Sequence, residues 1–466
     1  MAGSAAAILA WFGPPGSDLA AHEYHRWFFL EHGFSIWDNA WYSGRYVFVT
    51  YSWLAYPLAA VLGVKLLLVL SLGVAAAAFA ALVRYRPAAW AFALVWGCFA
   101  LSAAMPFAVG VAFALCGLVT LCHEADDAPR RWARLAGFGA FAALTWAASP
   151  LALLLLAVVV VGLRRWAAAG ILLPLLILQV VLTRLFPNAG HFPFPWQEAA
   201  AAALFCAGAI MLARGRVRGL FVGWLALIAV SFAFPSQLGE NAARLRFMAL
   251  PLALLVLRGR PLVLAVPLAV VAAVYNVSPL AWSFEKGLDE RGESAAYWTP
   301  AIKFLHARAD ANFRVNALDT VGHWEAFHLP RNGIGITRGW FRQDDFPHNE
   351  LLYESTLDPR EYEAWLREHG VRYVLVPRDR LDYSSKHEPA AVRAVARRIA
   401  QAGEVTIYEL PSPTAIVPGA NVTRLTHDSL TLEAPRPGRY VVRVREGAGW
   451  RVWDAPGAGT FTLDFP

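Results

Sequence analysis

Apolar runs separated by short polar turns occupy most of the first 280 residues of the chain. After a first run at 5–12, they fall at 64–83, 88–104, 107–122, 133–148, 149–163, 167–186, 198–213, 218–234, 245–257 and 261–277. Most are about 15–20 residues long, close to the ~20 that a helix needs to cross a bilayer. The pattern predicts an α-helical polytopic membrane domain, residues 1–284, of about eleven spans. Because the first run is short, either the chain starts before Met1 or its first helix is partly interfacial.

Basic residues between these runs indicate how the domain is oriented. They lie in five short loops, at 84–86, 130–134, 164–165, 214–218 and 258–260, and each loop follows an even-numbered run. Cytoplasmic loops are enriched in Lys and Arg, so this face is predicted to be cytoplasmic. The loops at 16–53, 186–198 and 235–246 and the C-terminal region are then predicted to be extracytoplasmic, in a multi-pass protein of a bacterial inner (plasma) membrane.

The periodicity changes after residue 284. Thr299-Pro300 predicts the start of a helix, and Asp358 to Glu361 has the pattern of a helix-capping box. A strand is predicted at 371–376, a helix at 388–401 and a further strand at 405–410, so residues 285–416 are predicted to form an extracytoplasmic α/β domain. From 417 to 466, segments of alternating polarity separated by Gly and Pro predict an antiparallel β meander or half-sandwich.

Composition supports the membrane assignment. The 466 residues are 58% hydrophobic and 16% charged, whereas soluble chains are typically about 45–50% apolar and about 25% charged. The net charge of +7 is explained by arginines in the short loops, so no nucleic-acid partner is expected. The four cysteines lie in or beside apolar runs, without metal-ligand spacing, and are interpreted as small core residues.

The first candidate site is the polar interval 16–53, which carries titratable groups among Trp27, Trp37, Trp41 and Trp53. Tryptophans are common at the bilayer interface, where a polar head and an apolar tail can both be held. Asp18 follows the first apolar run directly, and partial desolvation there would strengthen its carboxylate as a base.

From Asp18 to Arg26 the pattern predicts an amphipathic helix along the membrane surface. His22 and Arg26 are four residues apart and share one face of it. Together with Asp18 they could deprotonate an acceptor and bind a phosphate, and the substrate-binding candidates of this interval are His22, Glu23, Arg26, Trp37 and Arg45. The alternative is a polar helix face that only keeps the segment solvated.

A second candidate is the loop containing Asn241, Arg244 and Arg246. Arginines on the predicted outer face run against the charge bias, and a guanidinium matches the geometry of a lipid phosphate. The alternative is snorkelling to ordinary lipid headgroups. In the loop 186–198, His191, Trp196 and Glu198 are weaker candidates, for which structural roles are favoured.

A third concentration of His, Trp, Arg and carboxylates occurs at 322–330 and 338–350 in the α/β domain. Its spacing matches no familiar metal motif, and Arg–Asp pairing explains it as well as a binding cleft would. The sequence has no Walker A, GxGxxG, GxSxG or HExxH pattern.

The front of the chain, with a short first span, an early loop Asp, an interfacial helix and the motif WYSGRYVFVTYSWLAYPL, resembles the GT-C superfamily of membrane glycosyltransferases. The segments MPFAVGVAFALCGLVTL, TWAASPLALLLL and GENAARLRFMALPL are also similar to bacterial polytopic proteins named as 6-pyruvoyl-tetrahydropterin synthase-related. No pterin chemistry is inferred from that name.

The GT-C resemblance implies an extracytoplasmic active site, a polyprenyl-phosphate-sugar donor and inverting transfer of a hexosyl or pentosyl group. It also implies that the early loop carboxylate, here Asp18, is the catalytic base. GT-C enzymes often carry a second loop acid that binds a divalent cation. Glu23, Glu31 and Asp38 are spaced differently here, so no cofactor is assigned and a divalent cation stays possible.

Two classes of function therefore remain open from the sequence. A transferase would use a lipid-linked sugar donor, the surrounding membrane lipids and a cell-envelope glycan or lipid acceptor. A transporter, a lipid-handling protein or an envelope scaffold would not perform this chemistry. A transporter predicts ionisable residues within the spans, and few are present. The transferase is favoured.

Overall fold

The computed structural model describes residues 1–122, 128–188, 190–308, 310–346, 348–447 and 449–466. These divide into two compact units. The first contains residues 1–22, 49–185 and 191–288, and the second contains 23–48, 186–190 and 289–466. The second unit thus combines the C-terminal region from Asp289 with the middle of the 16–53 interval, and the predicted domain boundaries at 284 and 416 stay predictions.

The helices carry most of the first unit. In chain order the helices of both units are α1 (Ala2–Phe12), α2 (Leu19–His32), α3 (Ala55–Leu62), α4 (Val64–Val83), α5 (Arg86–Cys98), α6 (Met105–Leu121), α7 (Ala128–Ala148), α8 (Pro150–Gly162), α9 (Trp166–Leu185), α10 (Trp196–Leu212), α11 (Arg216–Ala233), α12 (Ala249–Leu257), α13 (Leu262–Gly287), α14 (Ala295–His306), α15 (Glu325–Arg331), α16 (Pro359–Glu368) and α17 (Glu388–Val395).

Four of these helices, α4, α9, α11 and α13, are long and apolar enough to cross a membrane. Shorter apolar helices are α1, α6, α8, α10 and α5 with the 3₁₀ turn that continues it to Leu101. Large apolar side chains on α9 and α13, such as Leu173, Val180 and Val270, are exposed, as is usual for helices that face lipid. The structure confirms an apolar helical region, and the number of eleven spans stays a prediction.

The strands lie in the second unit. They are β1 (Trp37–Asp38), β2 (Arg45–Tyr46), β3 (Arg314–Ala317), β4 (Val371–Pro377), β5 (Arg397–Ala402), β6 (Val405–Glu409), β7 (Asn421–Leu425), β8 (Ser429–Ala434), β9 (Gly438–Glu446), β10 (Gly449–Ala455) and β11 (Gly459–Asp464). Their order in the four-stranded sheet is β3-β4-β6-β5, with only β3 and β4 parallel. The tail forms a β11-β8-β7 sheet and a β9-β10 pair.

The predicted helix at 388–401 is wrong in its second half. Helix α17 ends at Val395, and Arg397 to Ala402 form β5, which pairs antiparallel with β6. The turn between these strands contains Gly403 at φ +60, a conformation that glycine adopts without steric cost. The sequence pattern was interpreted as a helix that ends near Gly403. In the structure, Gly403 instead lies in the hairpin turn between β5 and β6.

The start of α14 also differs from the prediction. The helix begins at Ala295, and Pro300 lies inside it rather than at its first position. By contrast, Asp358 is confirmed as the N-cap of α16, because its Oδ1 accepts hydrogen bonds from the backbone N–H of Arg360 at 2.7 Å and of Glu361 at 3.2 Å. The four alternating segments of the tail are the strands β8 to β11.

Two apolar cores stabilise the second unit. One packs α16 and α17 against the four-stranded sheet, with Tyr362, Trp365 and Val374 buried. The other lies in the β tail and includes Leu432, Val442 and also Trp37 from β1. The C-terminal region therefore contains sheets, and its division into an α/β domain and a β module stays a prediction.

Candidate functional site

The connection between α5 and α6, residues 99–107, contacts two of the predicted site loops in the first unit. Helix α5 ends at Cys98, a 3₁₀ turn covers Phe99–Leu101, and α6 begins at Met105 with Pro106 in its first turn. Gly16 packs directly on this connection. A Cβ atom on Gly16 would lie 2.5 Å from the Cβ of Ala103, so only glycine permits the approach.

This close approach fixes the backbone around Asp18. The Ser17 N–H donates to the carbonyl oxygen of Leu101 at 3.1 Å, and the Asp18 N–H donates to that of Ser102 at 2.9 Å. Asp18 itself is half-buried, directly before the first residue of α2. The early carboxylate predicted from sequence is therefore held at a defined place on the α5–α6 connection.

His22 follows one turn into α2, as predicted. The backbone N–H of His22 donates to the backbone carbonyl of Asp18 at 3.2 Å. The imidazole ring is completely buried. The Nδ1 atom lies 3.1 Å from the hydroxyl of Tyr56, and the ring stacks on Tyr51 with 6.5 Å between centroids. The structure places His22 in an aromatic cluster of the first unit.

Arg244 meets the other end of the same connection. Arg244 lies in a 3₁₀ helix, Gly239–Met248. Its Nε atom donates to Asn241 Oδ1 at 2.8 Å, and its guanidinium carbon lies 5.3 Å from the centroid of the Phe107 ring. Nearby, Phe247 packs edge-on against Phe99 at 4.7 Å. The 99–107 connection thus contacts both Gly16–Asp18 and the loop that carries Arg244.

Arg246 has a different environment from Arg244. Its guanidinium lies 2.7 Å from the Glu198 carboxylate and 3.3 Å from that of Glu240, and these two acids offset its charge. For Arg244, no partner of the two terminal nitrogens is found among the residues that the structure describes. Of the two arginines, Arg244 is the one whose guanidinium is available to an anion. A phosphate-binding role for Arg246 stays a prediction.

The remaining substrate-binding candidates of the 16–53 interval belong to the second unit. Glu23 and Arg26 form an ion pair at 3.8 Å on α2. Trp37 donates from Nε1 to Asn39 at 2.9 Å and lies in the core of the β tail. Arg45 pairs with the buried carboxylate of Asp344 at 2.7 Å. Substrate contacts for these residues stay predictions.

The second unit contains a cleft of about 900 Å³ that sequence reasoning missed. Its lining residues come from several separated parts of the chain and include Trp27, Asp38, Arg314, Tyr373 and His427. Clefts of this size that combine aromatic rings with a few polar groups are typical small-ligand sites. No sequence motif could reveal it, because its walls come from α2, the sheet and the β tail.

Asp38 is the buried acid of this cleft. Tyr24 donates to its Oδ2 atom at 2.8 Å and the Ala40 N–H donates to Oδ1 at 2.8 Å. Burial raises the pKa of Asp38 to about 6, although these hydrogen bonds and Arg45 act in the opposite direction. The carboxyl can therefore change its charge near neutral pH.

The stretches 322–330 and 338–350 form a buried polar network in the same unit; Pro347 lies outside the described residues. The predicted Arg–Asp pairing is present, because Arg338 contacts Asp345 at 3.0 Å. It also contacts Asp319 at 2.8 Å and Glu388 at 3.5 Å. One guanidinium thus faces three buried carboxylates.

No protein-family model and no curated protein sequence matches this chain. Among solved structures, the chain is similar to the mycobacterial arabinofuranosyltransferase AftD, with 16% identity and a TM-score of 0.49 over 94% of this chain and 40% of AftD. A mutant of the same enzyme matches with 19% identity and a TM-score of 0.48, over 89% of this chain and 41% of that one. The chain spans about two fifths of the length of these proteins. These structural matches give no support to the resemblance to pterin synthase-related proteins.

Proposed function

We propose that this chain is an integral membrane glycosyltransferase that transfers a sugar from a polyprenyl-phosphate donor to an extracytoplasmic glycan or lipid acceptor. One observation carries the proposal. A carboxylate residue, Asp18, and an arginine with available nitrogens, Arg244, are both held on the 99–107 connection at one end of an apolar helical unit. Apolar helices can hold a prenyl chain while the polar groups at their end bind its phosphate.

Arg244 is assigned to the donor phosphate. A guanidinium binds phosphate oxygens through charge-assisted hydrogen bonds, often in pairs. The bond to Asn241 and the stacking on Phe107 orient the guanidinium and leave its terminal nitrogens for the ligand. As the bond between the anomeric carbon and the phosphate oxygen breaks, the same guanidinium stabilises the negative charge that develops on the leaving phosphate.

Asp18 is assigned as the general base. A hydroxyl is a poor nucleophile at neutral pH, and a positioned base contributes about 10²–10⁴-fold to the rate. The acceptor oxygen forms the new bond to the anomeric carbon from the face opposite the phosphate, while its proton passes to the Asp18 carboxylate. The products are the glycosylated acceptor, with inverted configuration, and the free polyprenyl phosphate.

The experiment is turnover of a polyprenyl-phosphate sugar by the full chain in lipid nanodiscs. Asp18→Asn is nearly isosteric but cannot accept the proton, so it should retain donor binding and lose about 10²-fold or more in rate. Arg244→Ala should weaken donor binding about tenfold or more, since charge-assisted bonds are worth roughly 1.5–3 kcal/mol. Matched controls are the exposed Asp454→Asn and Arg165→Ala, which should match the unaltered chain.

Normal turnover by Asp18→Asn would disprove its role as base. Donor binding without turnover in the unaltered chain would instead favour a lipid-handling protein. Equal donor affinities for Arg244→Ala and Arg165→Ala would show that Arg244 only interacts with ordinary lipid headgroups.

A further inference from the structure

The carboxyl ends of the two parallel strands, β3 and β4, meet at one edge of the four-stranded sheet. Asp319 lies two residues beyond β3, and the loop that follows it leads to α15. This loop places His323 and Glu325 beside Asp319. The three side chains are buried, and their candidate ligand atoms all lie within 4.8 Å of one another. Ligand sites are common at such edges of parallel strands.

Two polar atoms of this cluster have no hydrogen-bond partner among the residues that the structure describes. Glu325 Oε2 accepts a hydrogen bond from Thr320 at 2.7 Å. For Glu325 Oε1 and His323 Nδ1, no hydrogen-bond partner is found within the described ranges. These two atoms face each other at 3.5 Å, and Nδ1 lies 3.9 Å from Asp319 Oδ2. Buried polar atoms normally have partners, and one ligand placed between these two atoms would contact both.

Several buried acidic side chains around the cluster share one guanidinium. Arg338 is shared by Asp319, Asp345 and Glu388. Glu325 adds a fourth buried carboxyl group, and Glu290 interacts electrostatically with Glu325.

The backbone is arranged to present the imidazole. His323 has a φ of +54, a left-handed conformation that is uncommon for residues other than glycine and is found where the surroundings enforce it. Gly322, just before it, accommodates the Glu290 carboxylate, since a Cβ there would lie 2.4 Å from Glu290 Oε2. The turn thus directs His323 toward the two acids.

We propose that Asp319, His323 and Glu325 bind a divalent metal ion, Zn²⁺ or Mn²⁺, that ties the β3–α15 loop to the sheet edge. One imidazole and two carboxylates suit these ions. Ligand atoms at about 2.0–2.2 Å from one ion lie no more than about 4.4 Å apart. The separations of 3.5 and 3.9 Å are within this limit. The site is independent of the proposed transferase chemistry and lies in the second unit alone.

The test uses the full chain in detergent, stripped with a chelator and titrated with ZnCl₂ or MnCl₂. Metal content should reach about one ion per chain, and the ion should raise the thermal midpoint. Glu325→Gln keeps an oxygen for the Thr320 hydrogen bond but loses a ligand, so it should weaken the affinity about tenfold or more, since even outer-shell changes cost about 10–100-fold. His323→Asn, which tolerates the left-handed backbone, should do the same.

The exposed His387→Gln is the matched control and should bind the ion as the unaltered chain does. Equal affinity in Glu325→Gln and the unaltered chain would overturn the proposal. So would the absence of binding in the unaltered chain. If Glu325→Gln is more stable than the unaltered chain and neither responds to metal, the cluster is neutralised by protons and the proposal fails. None of these readings depends on transferase activity.

Discussion

The Nε atom of Arg45 donates a hydrogen bond to Asp344 Oδ2 at 2.7 Å, and their side chains are only 6% and 7% exposed. The Arg45 guanidinium carbon also lies 3.9 Å from the centroid of the Phe341 ring. This pair joins β2 to the 3₁₀ turn at Arg342–Asp344 within the second unit. Arg45 therefore has a structural partner that the motif WYSGRY did not reveal.

Removing one partner of this pair should be costly. Asp344→Ala leaves a buried guanidinium without its counter-charge, which typically destabilises a protein by about 3–5 kcal/mol. Replacing both, as Arg45→Met with Asp344→Leu, should recover most of that loss. The measurement is denaturant unfolding in detergent followed by pulse proteolysis. The matched control is Glu404→Ala in the exposed pair with Arg291, where a loss of about 0–1 kcal/mol is expected. Similar losses in the two pairs would show that the Arg45–Asp344 pair contributes little.

Local patterns with a direct physical cause were predictable from the sequence. The Asp358 cap was found because the hydrogen bonds of a capping box depend on residues only three apart. Four of the five tail strands, β8 to β11, were found because alternation marks a half-buried strand. The error at 388–401 has the same origin, since β5 has only a weak alternation, with mostly exposed or half-buried residues. Its strand conformation depends on pairing with β6, which local sequence does not encode.

The sites were predictable only in part. The Asp18 and Arg244 loops stood out because polar residues between apolar runs are conspicuous. That Arg246 is paired and Arg244 is available could not be foreseen, because Glu198 is 48 residues away in sequence. The 16–53 interval looked like one site, yet the boundary between the two units falls within it, after His22. The cleft and the Asp319 cluster depend on strand order, which no motif records.

The predicted orientation can be tested by cysteine labelling. Thr423 and Thr460 are exposed on the β tail, so a cysteine at either position, in a chain whose native cysteines are replaced, should react with an impermeant maleimide in intact spheroplasts. A cysteine at Ser385 would not report on the orientation, because this position is fully buried and closed to the reagent. Ala167 is exposed beside the basic loop 164–165 and serves as the control for the cytoplasmic face. Labelling of Ala167→Cys but not of the β-tail cysteines in intact spheroplasts would show that the topology is inverted.

The last prediction concerns Asp38 and the pH dependence of stability. Burial raises its pKa to about 6 in the folded chain, whereas an aspartate in an unfolded chain titrates near 3.9. Between these values the folded state keeps a proton that the unfolded state has lost. The free energy of unfolding should therefore fall as the pH rises from about 4 through 6. A difference of roughly two pKa units corresponds to about 3 kcal/mol in the free energy of unfolding. This contribution is fully present below pH ~4 and is lost above pH ~6.

Asp38→Asn should remove this part of the pH dependence, because the amide is neutral at every pH in the window. Its carbonyl oxygen can still accept from the Ala40 N–H, and its NH₂ group can donate to the Tyr24 hydroxyl once that hydroxyl turns. Compared with the unaltered chain, the variant should be relatively more stable at pH 7 than at pH 4. The measurement is the unfolding midpoint in detergent from pH 4 to 7, with the exposed Asp454→Asn as the control. If Asp38→Asn and Asp454→Asn give the same slope as the unaltered chain, Asp38 titrates as an ordinary solvated carboxyl. Protonation of Asp38 would then not change the free energy of unfolding between pH 4 and 7.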